Sequence, residues 1–133
     1  MIVVRKDSLP NPELGDETQF EGTVEMRKAV EGEQTGDVRI YLVSFQEGAR
    51  THWHVHQGEQ VLYVVEGLGR AQKWGEAVHE IGPGAIVSIA PGEKHWHGAG
   101  RHSRMSHLAV TAGKTDWMEK VDDATVNQPE RHF

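Results

Sequence analysis

Short runs of apolar and β-branched residues, separated by breaks that contain Gly or Pro, extend from about residue 20 to residue 111. The runs recur roughly every 8–12 residues, and many alternate apolar with polar positions, which is typical of strands in a β-sandwich or small barrel. The predicted strands cover 20–27, 37–45, 50–56, 60–66, 69–74, 77–81, 85–90, 95–98 and 104–111. Breaks such as Gly82-Pro83-Gly84 allow the backbone to reverse. The pattern predicts an all-β fold.

The two ends of the chain depart from this pattern. The first nineteen residues are polar and contain Pro10 and Pro12, which predicts an extended arm that lies over the barrel or crosses to a partner subunit. After the last strand, Thr115 or Asp116 is expected to cap a short amphipathic helix that runs through Val121. The tail, residues 127–133, is expected to be loose.

Length and composition narrow the functional classes. The 133 residues suit one domain, 1–133, and the absence of cysteine excludes disulfides, zinc–thiolate sites and thiol nucleophiles. A formal net charge of −6 disfavours nucleic acid as a partner, because phosphate binding needs a basic face. No long apolar stretch opens the chain, so we expect a cytoplasmic protein without a membrane partner.

Histidine is the unusual feature of the composition. Five of the nine histidines lie in two clusters, at 52–56 and 95–97. Side chains alternate faces along a strand, so His52, His54 and His56 are expected to point the same way, and His95 and His97 likewise. Imidazole is a common ligand of divalent metals, and histidines at i and i+2 of one strand, completed from another strand, can hold an ion inside a barrel.

Two spaced motifs resemble those of the cupin superfamily. The first, Gly-x5-His-x-His-x3-Glu-x6-Gly, is matched at every spacing, with an amide in place of the carboxylate, by Gly48, His54, His56, Gln60 and Gly67. The second, Gly-x5-Pro-x-Gly-x2-His, is matched with the proline displaced by one place by Gly84, Pro91, Gly92 and His95. The resemblance implies a jelly-roll-like cupin β-barrel, with the motif-bearing core at about 35–112.

A narrower resemblance is to small bacterial cupins that include manganese-dependent hydroxynitrile lyases. It is carried, in order, by GARTHWHVHQGEQ, HEIGPG, APGEKHWHGA, MSHLAV and DWMEKV. It implies a metal shell of His54, His56, Gln60 and His95, and it makes His107 the active-site histidine. The implied cofactor is one divalent transition metal per chain, with Mn favoured over Fe, Ni, Co or Zn. The implied reaction cleaves a cyanohydrin into an aldehyde and hydrogen cyanide.

Several residue assignments stay open at this point. Gln60 keeps the even register of the motif, but Gly58 permits a turn that would bring Glu59 to the metal instead. His52 and His97 are alternatives to His107 as the catalytic base. Tyr41 and His52 replace small residues of the resembling enzymes, which would narrow or polarise the cavity. We expect no role for three other histidines, His79, His102 and His132.

The alternatives to a lyase share the same barrel. They are a metal-dependent dioxygenase, a small-acid isomerase or decarboxylase, and a non-catalytic cupin that binds a metal or ligand. An isomerase or decarboxylase would need an Arg or Lys for the substrate carboxylate, and Arg50 and Arg70 are the candidates considered. In each enzymatic case the partner is a small-molecule substrate. The resemblance also implies a homodimer or homotetramer, in which the apolar start MIVV or the arm after it is exchanged.

Overall fold

The computed structural model describes residues 1–32 and 37–131. Strands dominate, in agreement with the predicted all-β class. Their bounds, in chain order from β1 to β14, are Glu13–Leu14, Phe20–Glu21, Val24–Val30, Val38–Phe45, Arg50–Thr51, His54–His56, Gln60–Gly67, Gly69–Lys73, Val78–Ile81, Ile86–Ile89, His95–Ala99, Met105–Ala112, Thr115–Trp117 and Glu130–Arg131. A 3₁₀ turn at Lys6–Ser8 and one short helix, α1, at Asp123–Val126 complete the described elements.

The strands form two sheets with antiparallel neighbours almost throughout. Sheet A has the order β1-β3-β4-β12-β7-β10, and its long central strand β12 pairs with β4 on one side and β7 on the other. Sheet B has the order β13-β6-β11-β8-β9-β14. In addition, β5 pairs with β11, and β2 pairs with β5. The non-sequential order brings strands from distant parts of the chain side by side, as in a jelly roll.

Alternation along each strand of sheet A decides what faces sheet B. In β7, Gln60, Leu62 and Val64 are buried, while Val61 is half-buried and Tyr63 and Val65 are exposed. The inward apolar side chains of both sheets form the main core, which includes Val43, Phe45, Leu62, Val64, Ala71, Ile89 and Met105. The polar inward positions gather at one end of this core and form the site described below.

Gly67, the last glycine of the first motif, is required by the turn that leaves β7. Its φ of 76° lies in the left-handed region, and an added Cβ would lie 1.9 Å from the Arg104 carbonyl oxygen. Any other residue would therefore be strained and would collide with the neighbouring backbone. The turn carries the chain from sheet A to sheet B within two residues.

The sequence-based expectation for the C-terminal region is partly wrong. Thr115–Trp117 is a strand that pairs antiparallel with His54–His56, so the predicted helix over these residues does not form. The helix begins later, at Asp123, where the Asp122 carboxylate accepts a hydrogen bond of 2.8 Å from the Thr125 backbone N–H. Glu130–Arg131, expected to be loose, pairs in parallel with β9. His132 and Phe133 lie outside the described residues.

One short part of the polar N-terminal arm pairs with β3. Glu13 and Leu14 pair with Met26 and Glu25 of β3, which places this part of the arm at the edge of sheet A. The first four residues, MIVV, are exposed. Within the part of the chain that is described, none of the helices is long and apolar enough to cross a membrane.

The outer face of sheet A is unusually apolar. Cross-strand pairs align Ile86 with Tyr63, Tyr63 with Leu108, and Leu108 with Leu42. Tyr63 is 45% exposed and Ile86 is 69% exposed. We call this surface the outer apolar face; its residues are Ile40, Leu42, Val61, Tyr63, Val65, Ile86, Leu108 and Val110. Apolar patches of this kind on a folded chain commonly mark an interaction surface.

Candidate metal centre and its cavity

Five buried histidines converge between the two sheets. His54 and His56 come from β6, His95 and His97 from β11, and His107 from β12 of the opposite sheet. Antiparallel pairing of His95 with His54 places the two motifs next to each other. The exposed fraction of each of these side chains is 4% or less, so the cluster is shielded from bulk water.

The rings of the three histidines predicted to bind metal are close together. The centroid of the His54 ring lies 4.2 Å from that of His95 and 4.9 Å from that of His56, and the His56 and His95 centroids are 5.2 Å apart. Polar rings this close in a buried region need partners for their nitrogen atoms. The hydrogen bonds of each ring show which nitrogen is available.

One nitrogen of each ring is already engaged on the outside of the cluster. His54 Nδ1 lies 2.8 Å from the His52 carbonyl oxygen, and His95 Nδ1 lies 2.8 Å from the Glu93 carbonyl oxygen. A carbonyl oxygen can only accept, so in both rings Nδ1 carries the proton and Nε2 holds the lone pair. His56 Nδ1 is similarly engaged at 2.8 Å by the Thr115 hydroxyl. Such contacts fix ring orientation and tautomer in metal sites.

Gln60 completes the cluster from β7. Its amide Nε2 donates to the Thr111 hydroxyl at 2.9 Å, and this bond turns the amide oxygen towards the histidines. The Oε1 atom then lies 3.1 Å from His95 Nε2. Glu59 is exposed, so the structure brings Gln60, and not Glu59, into the cluster.

The donor atoms fit a cation. Two lone pairs, on Gln60 Oε1 and His95 Nε2, face each other at 3.1 Å, an arrangement that is unfavourable without a positive charge beside it. His56 Nε2 is buried and has no hydrogen-bond partner among the described residues. Imidazole nitrogens with one amide oxygen are suitable ligands for a divalent transition metal. The histidine site in this fold is therefore suited to a divalent metal ion.

Burial keeps these histidines neutral at pH 7. Loss of solvation lowers the pKa of His54 well below its usual value and lowers the pKa of His56 to about 4, with the neighbouring His95 adding to both shifts. The pKa of His95 is lowered by burial as well. Metal binding needs the neutral ring, so no proton has to be displaced from these side chains near pH 7.

His97 also lies within reach of the cluster. One ring nitrogen each from His54, His95 and His97 lies within 4.8 Å of the other two. His97 packs parallel to His95, with centroids 5.7 Å apart and an angle of 16° between the rings. The three histidines predicted from sequence are His54, His56 and His95. The group with ring nitrogens within 4.8 Å of one another contains His97 in place of His56. His56 and Gln60 also lie next to His95, so the cluster offers donor atoms beyond these three.

His97 and His107 form a second buried unit beside the first. His107 Nε2 lies 3.0 Å from His97 Nδ1, and Phe45 makes T-shaped contacts with both rings. The outer nitrogens, His97 Nε2 and His107 Nδ1, are buried and have no hydrogen-bond partner among the described residues. Burial lowers the pKa of His107 to about 4 and holds that of His97 well below its usual value.

His52 does not share the inward face, contrary to the parity expectation. Regular pairing stops after Thr51 and resumes at His54, and this break resets the alternation. Thr51, and not His52, lines the cavity. His52 is buried near Glu21 and Lys120, outside the cavity. His79 and His102 also lie away from the cavity, and His132 is outside the described residues.

A cavity of about 280 Å³ opens onto the histidine cluster. Its apolar wall is formed by Phe20, Met26, Val43, Ala109 and Trp117. Tyr41 also lines it, as expected for a position that narrows the pocket, and the Tyr41 hydroxyl donates to the Glu31 carboxylate at 3.2 Å. The volume suits a small ligand.

Arg39 is a lining residue that the sequence reasoning missed. The arginines considered there lie elsewhere: Arg50 pairs with Glu21 at 3.6 Å, and Arg70 is buried where it donates to the Ala99 and Val126 carbonyls. Arg39 lines the cavity instead. Strand alternation could have predicted this position. Arg39 lies two residues before Tyr41 on the same strand, so the two side chains share a face.

Comparisons with known proteins agree with this geometry. Residues 41–111 match the Cupin_2 family, described as a cupin domain. An (R)-mandelonitrile lyase from Granulicella tundricola is 46% identical over 108 residues, which span 78% of this chain and 82% of that protein.

Solved structures show the same fold. A cupin-like protein from Thermotoga maritima has a TM-score of 0.82 and 32% identity, over 85% of this chain and 89% of that one. The polyketide cyclase RemF from Streptomyces resistomycificus, at 21% identity, supports the fold alone, with a TM-score of 0.74 over 92% of this chain and 86% of that one. The family match, the relative and the fold together show that this chain belongs to the cupin family.

Proposed function

We propose that this cupin is a metal-dependent carbon–carbon lyase that cleaves a cyanohydrin into an aldehyde and hydrogen cyanide, and that also catalyses the reverse addition. The relative named as an (R)-mandelonitrile lyase supports this reaction class. Among the structural observations, one carries the proposal: His54, His56 and Gln60 of a neutral donor set line the same cavity as a separate histidine pair, His97 and His107. The fourth member of the donor set, His95, contacts Gln60 at 3.1 Å.

The donor set contributes ligands and no negative charge. We propose manganese as the resident ion, on the resemblance to manganese-dependent lyases, with iron, nickel, cobalt or zinc as the alternatives. When bound, a divalent ion supplies a Lewis-acid centre for the negative charge that develops on cyanide. Thr111 holds the Gln60 oxygen towards the site, and Thr115 holds the His56 ring.

The His97–His107 pair supplies the base. A neutral imidazole has one N–H and one lone pair, so the 3.0 Å contact allows two arrangements. If His107 Nε2 donates to His97 Nδ1, the basic lone pair is on His107 Nδ1. If His97 Nδ1 donates, the lone pair is on His97 Nε2. In either arrangement one nitrogen without a partner is free to take the substrate hydroxyl proton.

We assign the base role to His107, as the resemblance implies, with His97 as the partner that stabilises the resulting imidazolium. A proton taken up by His107 Nδ1 is matched by the hydrogen bond that His107 Nε2 donates to His97. The apolar wall of Phe20, Val43 and Trp117 holds the hydrocarbon part of the substrate and excludes water.

Cyanide release from racemic mandelonitrile tests the reaction class. Manganese-loaded protein should release cyanide faster than the buffer does, and dialysis against a chelator should remove the increase. Chiral chromatography of the remaining substrate should show that one enantiomer is consumed faster.

Two variants provide matched controls for this assay. His95→Ala removes a ligand and should abolish both metal retention and turnover, whereas His79→Ala, outside the cavity, should change neither. A fully metal-loaded protein that releases no cyanide above background, from mandelonitrile or from an aliphatic cyanohydrin, would contradict the proposed lyase.

A further inference from the structure

We propose that the cavity binds a small organic carboxylate, with Arg39 as the residue that pairs with the carboxylate group and the apolar wall holding the rest of the molecule. This inference goes beyond the lyase reaction, whose cyanohydrin substrate needs no charge. It concerns the chemical class of ligand that the cavity accepts.

Among the described residues, no carboxylate forms an ion pair with Arg39. Its Nη1 donates to the Gly113 carbonyl oxygen at 2.6 Å, and its Nη2 lies 3.5 Å from the Thr115 hydroxyl. Both partners are neutral, and no ion pair of Arg39 occurs within residues 1–32 and 37–131. Guanidinium groups have five donors in a planar fork, so donors remain for a ligand.

The composition of the cavity lining supports an anionic ligand. The chain as a whole has 20 acidic and 14 basic side chains, yet neither Asp nor Glu is found among the described residues that line this cavity. Lys28 and Arg39 both line it, and Lys28 is already balanced by Glu13 and Glu31 at 3.4 and 3.6 Å. The excess positive charge is therefore carried by Arg39.

Arg39 lies close to the histidine cluster. The Thr115 hydroxyl that it approaches is the same atom that contacts His56 Nδ1 at 2.8 Å. A carboxylate paired with Arg39 would therefore lie near the donor set, inside the same cavity. Phe20, Val43 and Trp117 line the same space, which favours a carboxylate with an apolar or aromatic body.

The test compares phenylacetate with phenylacetamide, a neutral probe of the same shape, by calorimetric titration of the full chain with and without metal. Wild-type protein should bind phenylacetate at least tenfold more tightly than the amide, in both metal states. Arg39→Gln should weaken phenylacetate binding about tenfold or more and leave the amide unchanged, because only the charge-assisted bond is lost.

Two further variants separate this role from a structural one. Arg27→Gln removes an arginine of the neighbouring strand that lies outside the cavity and should bind phenylacetate as wild type does. Arg39→Lys keeps the charge and should bind phenylacetate severalfold better than Arg39→Gln does. If the two Arg39 variants lose equal affinity, Arg39 acts on the fold and not on the ligand, and the inference is overturned.

The remaining outcomes also decide the matter. Equal affinity for the acid and the amide would show that the cavity does not recognise a carboxylate. Phenylacetate binding that disappears on metal removal and is unaffected in Arg39→Gln would assign recognition to the metal alone. Either result overturns the inference and leaves the proposed lyase reaction to be judged by cyanide release.

Discussion

Replacement of Gln60 by glutamate tests how the donor set controls the charge of the site. The side chain is 4% exposed, so a carboxylate there is poorly screened by water. Gln60 now donates to the Thr111 hydroxyl, and the same hydroxyl can rotate to donate to a carboxylate oxygen, so Gln60→Glu should fold and keep its geometry. Metal retention should be equal or better.

The added charge should weaken anion binding. Two unit charges about 4 Å apart interact by roughly 4 kcal/mol at an effective dielectric constant of about 20, which is an upper guide. One third of that energy, about 1.4 kcal/mol, corresponds to a tenfold change in the dissociation constant. None of the described residues that line the cavity is Asp or Glu, so the new carboxylate would be the first negative side chain in this lining.

The assay is a titration of cobalt-substituted protein with azide, followed by the visible spectrum of the ion. Gln60→Glu should bind azide about tenfold more weakly than wild type. Gln57→Glu adds the same charge at an exposed position close in sequence and should behave as wild type does. Unchanged azide affinity at full cobalt occupancy would show that Gln60 does not contact the ion, and would refute the role given to the amide.

Three further predictions concern the base, the buried histidines and the oligomer. His107→Ala should lower cyanide release roughly 10²–10⁴-fold with metal content unchanged, the usual size of a general-base effect; retained turnover would assign the base to His97. Burial lowers the pKa of His107 from 6.5 to about 4, so between these pH values the unfolded chain binds a proton that the folded chain does not. The free energy of unfolding of the metal-free protein should therefore not change with pH through this residue above pH 6.5. It should decrease as the pH falls from 6.5 towards 4, by up to roughly 1.4 kcal/mol per pH unit. Denaturant titrations should show a shallower pH dependence for His107→Gln, and an equal slope would contradict the assignment. We also propose a homodimer through the outer apolar face, whose uncharged centre can pair with itself about a two-fold axis; Tyr63→Arg should lower the mass measured by light scattering towards that of a monomer, and an unchanged mass excludes this face.

Local alternation predicted most of the fold and the meeting of the two histidine motifs. Most of β7, and β12 from His107 onwards, alternate in burial because one face packs against the opposite sheet, and this periodicity is visible in the sequence. The spacing of the cupin motifs, which depends on the same strands and turns, indicated which histidines meet. The family assignment therefore followed from short-range patterns.

The errors arose where pairing with a distant strand decides the conformation. Trp117, Met118 and Val121 have the spacing of an apolar helical stripe, but the backbone of Thr115–Trp117 hydrogen-bonds to His54–His56 as an edge strand. The parity argument failed for His52 because an irregular segment after Thr51 interrupts the alternation. Local propensity cannot reveal a partner some sixty residues away or a break inside a predicted strand.

Charge balance is the other property that the sequence concealed. Arg50 and Arg70 were considered as cations that could hold a substrate carboxylate, yet their side chains are engaged with Glu21 and with backbone carbonyls. Arg39 reaches the cavity from β4, outside both motifs. Its importance depends on which carboxylates lie near it, and this is determined only by the three-dimensional fold.

Metal content is the most direct test of the central claim that this chain holds one divalent ion on His54, His56, Gln60 and His95. Protein reconstituted with manganese and exhaustively desalted should contain close to one ion per chain by elemental analysis. The matched variant His79→Ala should retain the same amount. A value near zero for manganese, iron, cobalt, nickel and zinc alike would contradict the claim.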